Sequence, residues 1–487
     1  MKTYIKILSL ATVLALYSCD GFLDTVPSDS ASASTAMQTL VDANNACNGM
    51  YYAMKWNDYY GTPMLIMGET RGDDLQPRKI DGGGWVPIYT YDFSAETNSY
   101  SGTWNKLYKV IMYANTILAG WDDIPAVAAA EIADKNNVKG QALATRALCY
   151  FDLARLYGYP YLKDNGASLG ASIITQALES PEDAKVPRGT VAETYTQVLN
   201  DLQEALPLLT KSKTTGKMNY WSAKLLQARV YLYKGEWENA YNAAKEVITS
   251  SPYVLATNAE YLGYWSQEGG SETIMELLVT KVSNLDDNGG VNSWYYALWH
   301  KNGATGGLVP TQGWLDLMAQ DPNDVRGKMI RNDSDVSDWT SHIWLAKYEG
   351  TDKDDFKVNN PRLMRLSEAY LIAAEAGLKS SKSDALDFLN TIRRRANPVI
   401  PLLTTFTEDD VLKERRKEFI AEGHRFFDLT RLGKNIDRTG GYHFAHTAGT
   451  GIGTVINVAT EHKIVLPISA SQILLWGDDI LKQNPGY

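Results

Sequence analysis

Residues 221–248, WSAKLLQARVYLYKGEWENAYNAAKEVI, hold two helical patterns separated near Lys234 to Glu236. Trp221, Ala228, Tyr231, Gly235, Ala240 and Ala244 are spaced roughly as in a tetratricopeptide-like helix pair, with small residues where helices approach closely. One such pair cannot bury its own apolar faces, so further pairs must stack beside it. The stretch therefore predicts an all-α, tetratricopeptide-like helical-repeat scaffold whose repeats are too degenerate for an exact period.

Working outward, helical patterning covers 35–60, 104–119, 140–157 and 190–209 on one side. On the other side it covers PRLMRLSEAYLIAAEAGLKS (361–380) and SDALDFLNTIRRRA (383–396). Between the two groups, about 253–358, lies an irregular region dense in Gly, Asn, Asp and aromatic residues, including WYYALWH at 294–300. So long an irregular insertion in a compact body reads as a recognition surface. The Gly-, Pro- and Asp-rich stretch GETRGDDLQPRKIDGGGW (68–85) reads as a surface loop.

The 487 residues carry 47 Lys+Arg against 57 Asp+Glu, a formal charge of -10, and no conspicuous basic surface run. Nucleic acid is therefore a poor partner, because phosphate-backbone binding needs clustered cations. Aromatic residues make up 11% of the chain, and its 29 Tyr and 13 Trp raise the prospect of a sugar or peptide site.

The first 18 residues, MKTYIKILSLATVLALYS, combine Lys2 and Lys6 with an apolar stretch too short to span a membrane, the pattern of a secretory signal. Cys19 follows at a position resembling a bacterial lipoprotein processing site, so lipidation of Cys19 is expected, with 19–34 as a polar tether and 35–487 as a single body. Cys47 and Cys149 lack any CxxC spacing, and Cys149 sits in a helical run that suits a buried thiol as well as a disulfide.

No HExxH, GxSxG or GxxxxGK[ST] pattern is present, and no catalytic, metal or cofactor constellation is expected. His443 and His446 lack a third ligand of suitable spacing. Asn284, Asp286 and Asn288 open like a calcium loop, but Tyr295 stands where a bidentate acid is needed. GTGIGT (449–454) lacks the strand-to-helix setting of a dinucleotide fingerprint and reads as a turn or hairpin. In 412–433 the helical spacing brings Glu414 near Lys417 and Glu418, and Arg415 near Glu418, which predicts a helix carrying ion pairs seated on the core by Phe419, Phe426 and Phe427.

That last run resembles the signature of the SusD/RagB family of Bacteroidota surface lipoproteins: ERRKEFIAEGHRFFDLTRLG at 414–433, then IVLPIS at 464–469 and QNPGY at 483–487. CDGFLDTVP after the leader, WNKLYKVIMYANTIL at 104–118 and RLMRLSEAYLIAAEA at 362–376 resemble it too. The resemblance implies a SusD-like helical scaffold of four tetratricopeptide-like pairs with long irregular loops holding the ligand. It also implies a lipid-anchored outer-membrane protein facing the cell exterior. Such proteins bind oligosaccharides or polysaccharides without catalysis and deliver them to a SusC-like TonB-dependent transporter. Capture of peptides or glycopeptides by the same scaffold is the alternative; a glycoside hydrolase and a purely structural adaptor are further readings.

Within that frame Trp85, which follows three glycines and has no helical register to bury it, is the first candidate ligand platform. Trp294, Tyr295, Tyr296 and Trp299 form a second aromatic cluster, and Arg71, Asp73, Asp74 and Asn292 are polar candidates for sugar hydroxyls, with a loop-capping role as the alternative.

Overall fold

The structure is a computed structural model that describes residues 37–77, 86–97, 102–281, 308–332, 343–355, 357–439 and 455–487. Helix α1 (Leu40–Met54) starts where the Thr39 hydroxyl accepts the Asp42 N–H and the Asp42 carboxylate accepts the Thr39 N–H. It ends at Lys55, short of the expected 60, because the turn-forming WNDYYGT follows and Pro63 opens the next helix, α2 (Pro63–Glu69). Next come α3 (Gly102–Ala119), α4 (Ala129–Tyr157) and α5 (Val191–Ala205). Helix α4 begins 11 residues before the patterned 140–157. Its first turns are solvated on all sides and so carry no periodicity; the Glu131 carboxylate supports them by accepting the Val127 and Ala128 N–H groups. From Val138 onward α4 is buried almost all round and forms the axis of the stack.

The deciding stretch folds as read, into α6 (Tyr220–Lys234) and α7 (Trp237–Ser250). Asn219 caps α6 by accepting from the Trp221 and Ser222 N–H groups, and Gly235, at φ +79, turns the chain in the left-handed region that only glycine enters without strain. Helices α8 (Leu366–Lys379) and α9 (Ala385–Ala396) form the carboxy-terminal pair. Packing follows chain order: α1 on α3, α3 on α4, α4 on α5, α5 on α6, α6 on α7 and α8 on α9. Helix α7 packs directly on α8, so the insertion leaves the stack and returns to the same place. Buried ion pairs cross the stack: Arg146 to Asp201 at 2.6 Å joins α4 to α5, and Arg229 grips Glu368 with two 2.6 Å bonds to join α6 to α8.

The insertion contains more regular structure than its composition suggests. Strand 273–276 pairs antiparallel with 362–365, so the first four residues after Pro361 are strand, and the helix expected from 361 starts at Leu366. Strand 330–332 pairs with 343–345, and 75–77 pairs with 308–310. At the carboxy terminus 436–437 pairs antiparallel with 455–456, while GTGIGT (449–454) lies outside the described residues. The final elements are α10 (Glu408–Glu418), α11 (Arg425–Arg431) and α12 (Ala470–Trp476). Among the described residues no helix is long and apolar enough to cross a membrane.

Candidate functional site

The strand pair 75–77/308–310 borders, in sequence, the two stretches that carry most of the candidate ligand residues. Its register sets Leu75 opposite Pro310, Gln76 opposite Val309 and Pro77 opposite Leu308. The chain leading to Trp85 departs from Pro77, and the chain carrying Asn292, Trp294, Tyr295, Tyr296 and Trp299 arrives at Leu308. Two segments more than 200 residues apart are thus anchored at neighbouring points. Trp85, Asn292, Trp294, Tyr295, Tyr296 and Trp299 themselves lie outside the described residues, as do Cys19, the His443/His446 pair and the Asn284 to Tyr295 stretch.

The base of these segments is not the surface loop expected of 68–85. Residues 68–77 are buried throughout. A polar segment tolerates burial only when its groups are bonded, and three arginines from the carboxy-terminal part of the chain provide most of the partners. Arg438 donates to the carbonyls of Thr70 (3.0 Å), Gly72 (2.9 Å) and Tyr89 (2.7 Å). Arg425 holds the Asp73 carboxylate through Nε at 2.6 Å and Nη2 at 2.8 Å, and Arg416 Nε bonds Asp74 Oδ1. Thr311, directly after strand 308–310, closes the arrangement by donating its hydroxyl to the Asp73 carbonyl and its N–H to the Asp74 carbonyl.

The electrostatics follow from these contacts. Burial pushes the Asp73 carboxyl up, but Arg425, with Arg416 and Arg438, overrides it and holds the group at about 2. Asp74 is raised, by burial first and by the Asp73 charge beside it, against the opposing pull of Arg416. Arg71 is wholly buried, its Nε and Nη1 on the Met67 and Ile464 carbonyls and its plane 3.8 Å from the Phe426 ring centre. Without a carboxylate, burial brings it down to about 10. Arg71, Asp73 and Asp74 therefore have internal partners, the loop-capping alternative, and they hold the 68–77 segment.

Sequence reasoning missed Gln76. Its side chain is fully buried in the strand, and neither amide atom has a hydrogen-bond partner among the described residues. A glutamine in a three-residue strand carries no signal of this; only the pairing with Val309 reveals it.

The 414–433 run is the other half of the pedestal. The expected pairs within the helix give way to tertiary ones, because these side chains are buried against other parts of the chain. Glu414 meets Arg326 at 2.7 Å, Arg415 meets Asp428 at 2.7 Å, and Glu418 is shared by Arg326, Arg365 and Arg395. Glu422 pairs with Lys347 and Arg365. Phe419, Phe426 and Phe427 lie in the core as read. Helix α2 meets this run so closely that a Cβ on Gly68 would sit 2.1 Å from the Gly423 carbonyl oxygen. There Glu69 accepts the Gly423 and His424 N–H groups, yet burial and nearby Asp74 raise its carboxyl to about 8. Cys47 and Cys149 are separate buried free thiols, and no cluster of His, Cys, Asp and Glu among the described residues forms a metal site.

A stacked helical scaffold whose 68–77 segment is held by carboxy-terminal arginines is the class of protein this geometry defines. The comparisons specify it. Residues 330–487 match the SusD family model, and residues 21–232 match the model described as starch-binding associating with outer membrane. A SusD superfamily protein from Bacteroides thetaiotaomicron is 35% identical with a TM-score of 0.83, covering 92% of this chain and 100% of its own. A SusD-like carbohydrate binding protein from Bacteroides vulgatus is 26% identical with a TM-score of 0.71, covering 82% and 84%. A SusD-like protein of Bacteroides ovatus is 25% identical over 480 residues, 87% of this chain and 82% of that one. The chain belongs to the SusD family.

Proposed function

We propose that the protein captures oligosaccharides or polysaccharides at the cell surface without cleaving them and delivers them to a SusC-like TonB-dependent transporter, tethered to the outer membrane by lipid on Cys19. The observation that carries this reading is the antiparallel pairing of Pro77 with Leu308, which gives the Trp85 segment and the Asn292 to Trp299 segment a common root. Aromatic rings from both segments would then offer faces to pyranose or furanose rings, with Asn292 bonding hydroxyls. Arg71, Asp73 and Asp74 act as positioning residues that hold the 68–77 segment from which the Trp85 stretch departs. The family description as starch-binding and outer-membrane-associated, and the carbohydrate-binding relative, support the same reading.

Calorimetric titration with a panel of defined plant, host and microbial oligosaccharides, with the recovered ligands checked for cleavage, tests it. Saturable binding of ligand that is recovered intact supports capture. Time-dependent cleavage overturns the non-catalytic reading, and saturation only by peptides moves the site to that class. Co-purification of a SusC-like transporter from the native host, through a tag on this chain, tests the partner separately.

A further inference from the structure

A concave site lies where several helix ends of the stack meet. It is a cavity of about 520 Å³ where the 160–163 turn, the start of α7, the end of α8, the start of α10 and the chain following α11 converge. This volume is within the roughly 300–1,000 Å³ typical of small-ligand sites. Its lining includes Trp237, Leu162, Lys163, Lys379, Glu408 and Gly433.

The chemistry of the walls is selective. Trp237 is half-buried; its indole N–H is neither enclosed nor hydrogen-bonded to protein, which leaves a ring with an open polar end. Lys379 and Lys434 share Glu408, at 2.6 Å and 3.6 Å, and Arg431 in the wall is satisfied by Glu375 and Asp428. Lys163 differs. Its ammonium lies 3.9 Å from the Tyr159 ring centre and bonds no carboxylate among the described residues; partial burial lowers its pKa against the opposing pull of the neighbouring Asp164 charge. At Gly433 a Cβ would meet nothing within 4 Å, so a ligand reaches the backbone directly there.

A matching ligand needs an apolar ring face for Trp237, a carboxylate for Lys163, and hydroxyls that accept from the indole N–H and donate to Glu408. We infer that this cavity is a second saccharide subsite, for a sugar residue that carries a carboxylate, a hexuronate unit. Its lining shares no residue with the 68–77 and 308–311 segments.

Titration of the protein with α-1,4-linked digalacturonate, with maltose and benzoate as neutral-sugar and simple-acid controls, is combined with hydrogen exchange over 430–434 and 458–459. Digalacturonate is expected to saturate, protect those amides, and lose at least about tenfold in affinity in Trp237→Ala and in Lys163→Gln but not in Lys353→Gln, a lysine exposed outside the cavity. Lys163 is exposed, so Lys163→Gln retains the fold and isolates the charge even if Trp237→Ala is destabilised. Absence of saturation, equal protection of 430–434 and 458–459 by maltose or benzoate, unchanged affinity in Lys163→Gln, or an equal loss in Lys353→Gln overturns the inference. Failure of the loop-borne site would show as binding of neutral glycans that leaves 430–434 unprotected yet is indifferent to Trp85→Ala, a separate readout.

Discussion

Arg425 closes two N–H donors on the carboxylate of Asp73, at 2.6 Å and 2.8 Å, across 352 residues of chain. The pair ties the family signature to the root of the segment that carries Trp85. Arg425→Ala leaves Asp73 buried without its counterion, a change that costs about 3–5 kcal/mol. Denaturant unfolding should show that loss, and Arg425→Lys should recover only part of it, because one ammonium does not reproduce the bidentate grip.

Glu69 sets a pH slope. Its folded pKa of about 8 exceeds the unfolded value of 4.5, so the folded state holds a proton that the unfolded chain releases. The group's contribution is fully present below pH 4.5 and is lost as pH rises to about 8, with a slope of up to about 1.4 kcal/mol per pH unit. Glu69→Gln, which keeps an oxygen for the Gly423 and His424 N–H groups, should flatten the stability profile between pH 5 and 8. Asp73 works in the opposite direction: held at about 2, it adds stability above its unfolded value of 3.8, lost as pH falls through 2.

At the proposed loop-borne site, Trp85→Ala should lower glycan affinity by at least about tenfold, the scale of about 1.4 kcal/mol per decade, while the melting temperature stays within a degree or two. Trp299→Ala tests the second segment in the same titration. An unchanged affinity in either variant removes that residue from the site.

Cys47 and Cys149 should resist alkylation in the native protein and react after unfolding. Burial raises the Cys47 thiol to about 12 and the Cys149 thiol further, so neither supplies thiolate at neutral pH. Mass spectrometry after iodoacetamide, with and without guanidinium, reads both sites, and reductant should leave the melting temperature unchanged.

Gly235→Ala should destabilise the α6/α7 pair by about 1–2 kcal/mol, the cost of placing a Cβ in the left-handed region. The new methyl would also meet Leu162 Cδ2 at 2.8 Å. Thermal unfolding checks it, and the Leu162→Ala background should relieve the contact without relieving the backbone strain.

The helical scaffold was legible in the chain because helix pairing is local: period, small residues and Gly235 all lie within one stretch of sequence, and α6 and α7 fold as that stretch reads. The 414–433 run was legible as structural, but its partners were not. Spacing along a helix offers Glu418 only its own neighbours, whereas burial selects Arg326, Arg365 and Arg395 from distant segments. For the same reason Arg71, Asp73 and Asp74 looked like a polar surface loop: composition records polarity but not whether a guanidinium has been brought against it. What the sequence alone determined is the all-α stack, the family and the types of side chain available to a ligand. Only the tertiary structure decided that Pro77 and Leu308 share a strand ladder, that Gln76 is buried with its amide unpaired among the described residues, and that Trp237 and Lys163 share a cavity. These are contacts between residues far apart in the chain, set by packing rather than by any local periodicity.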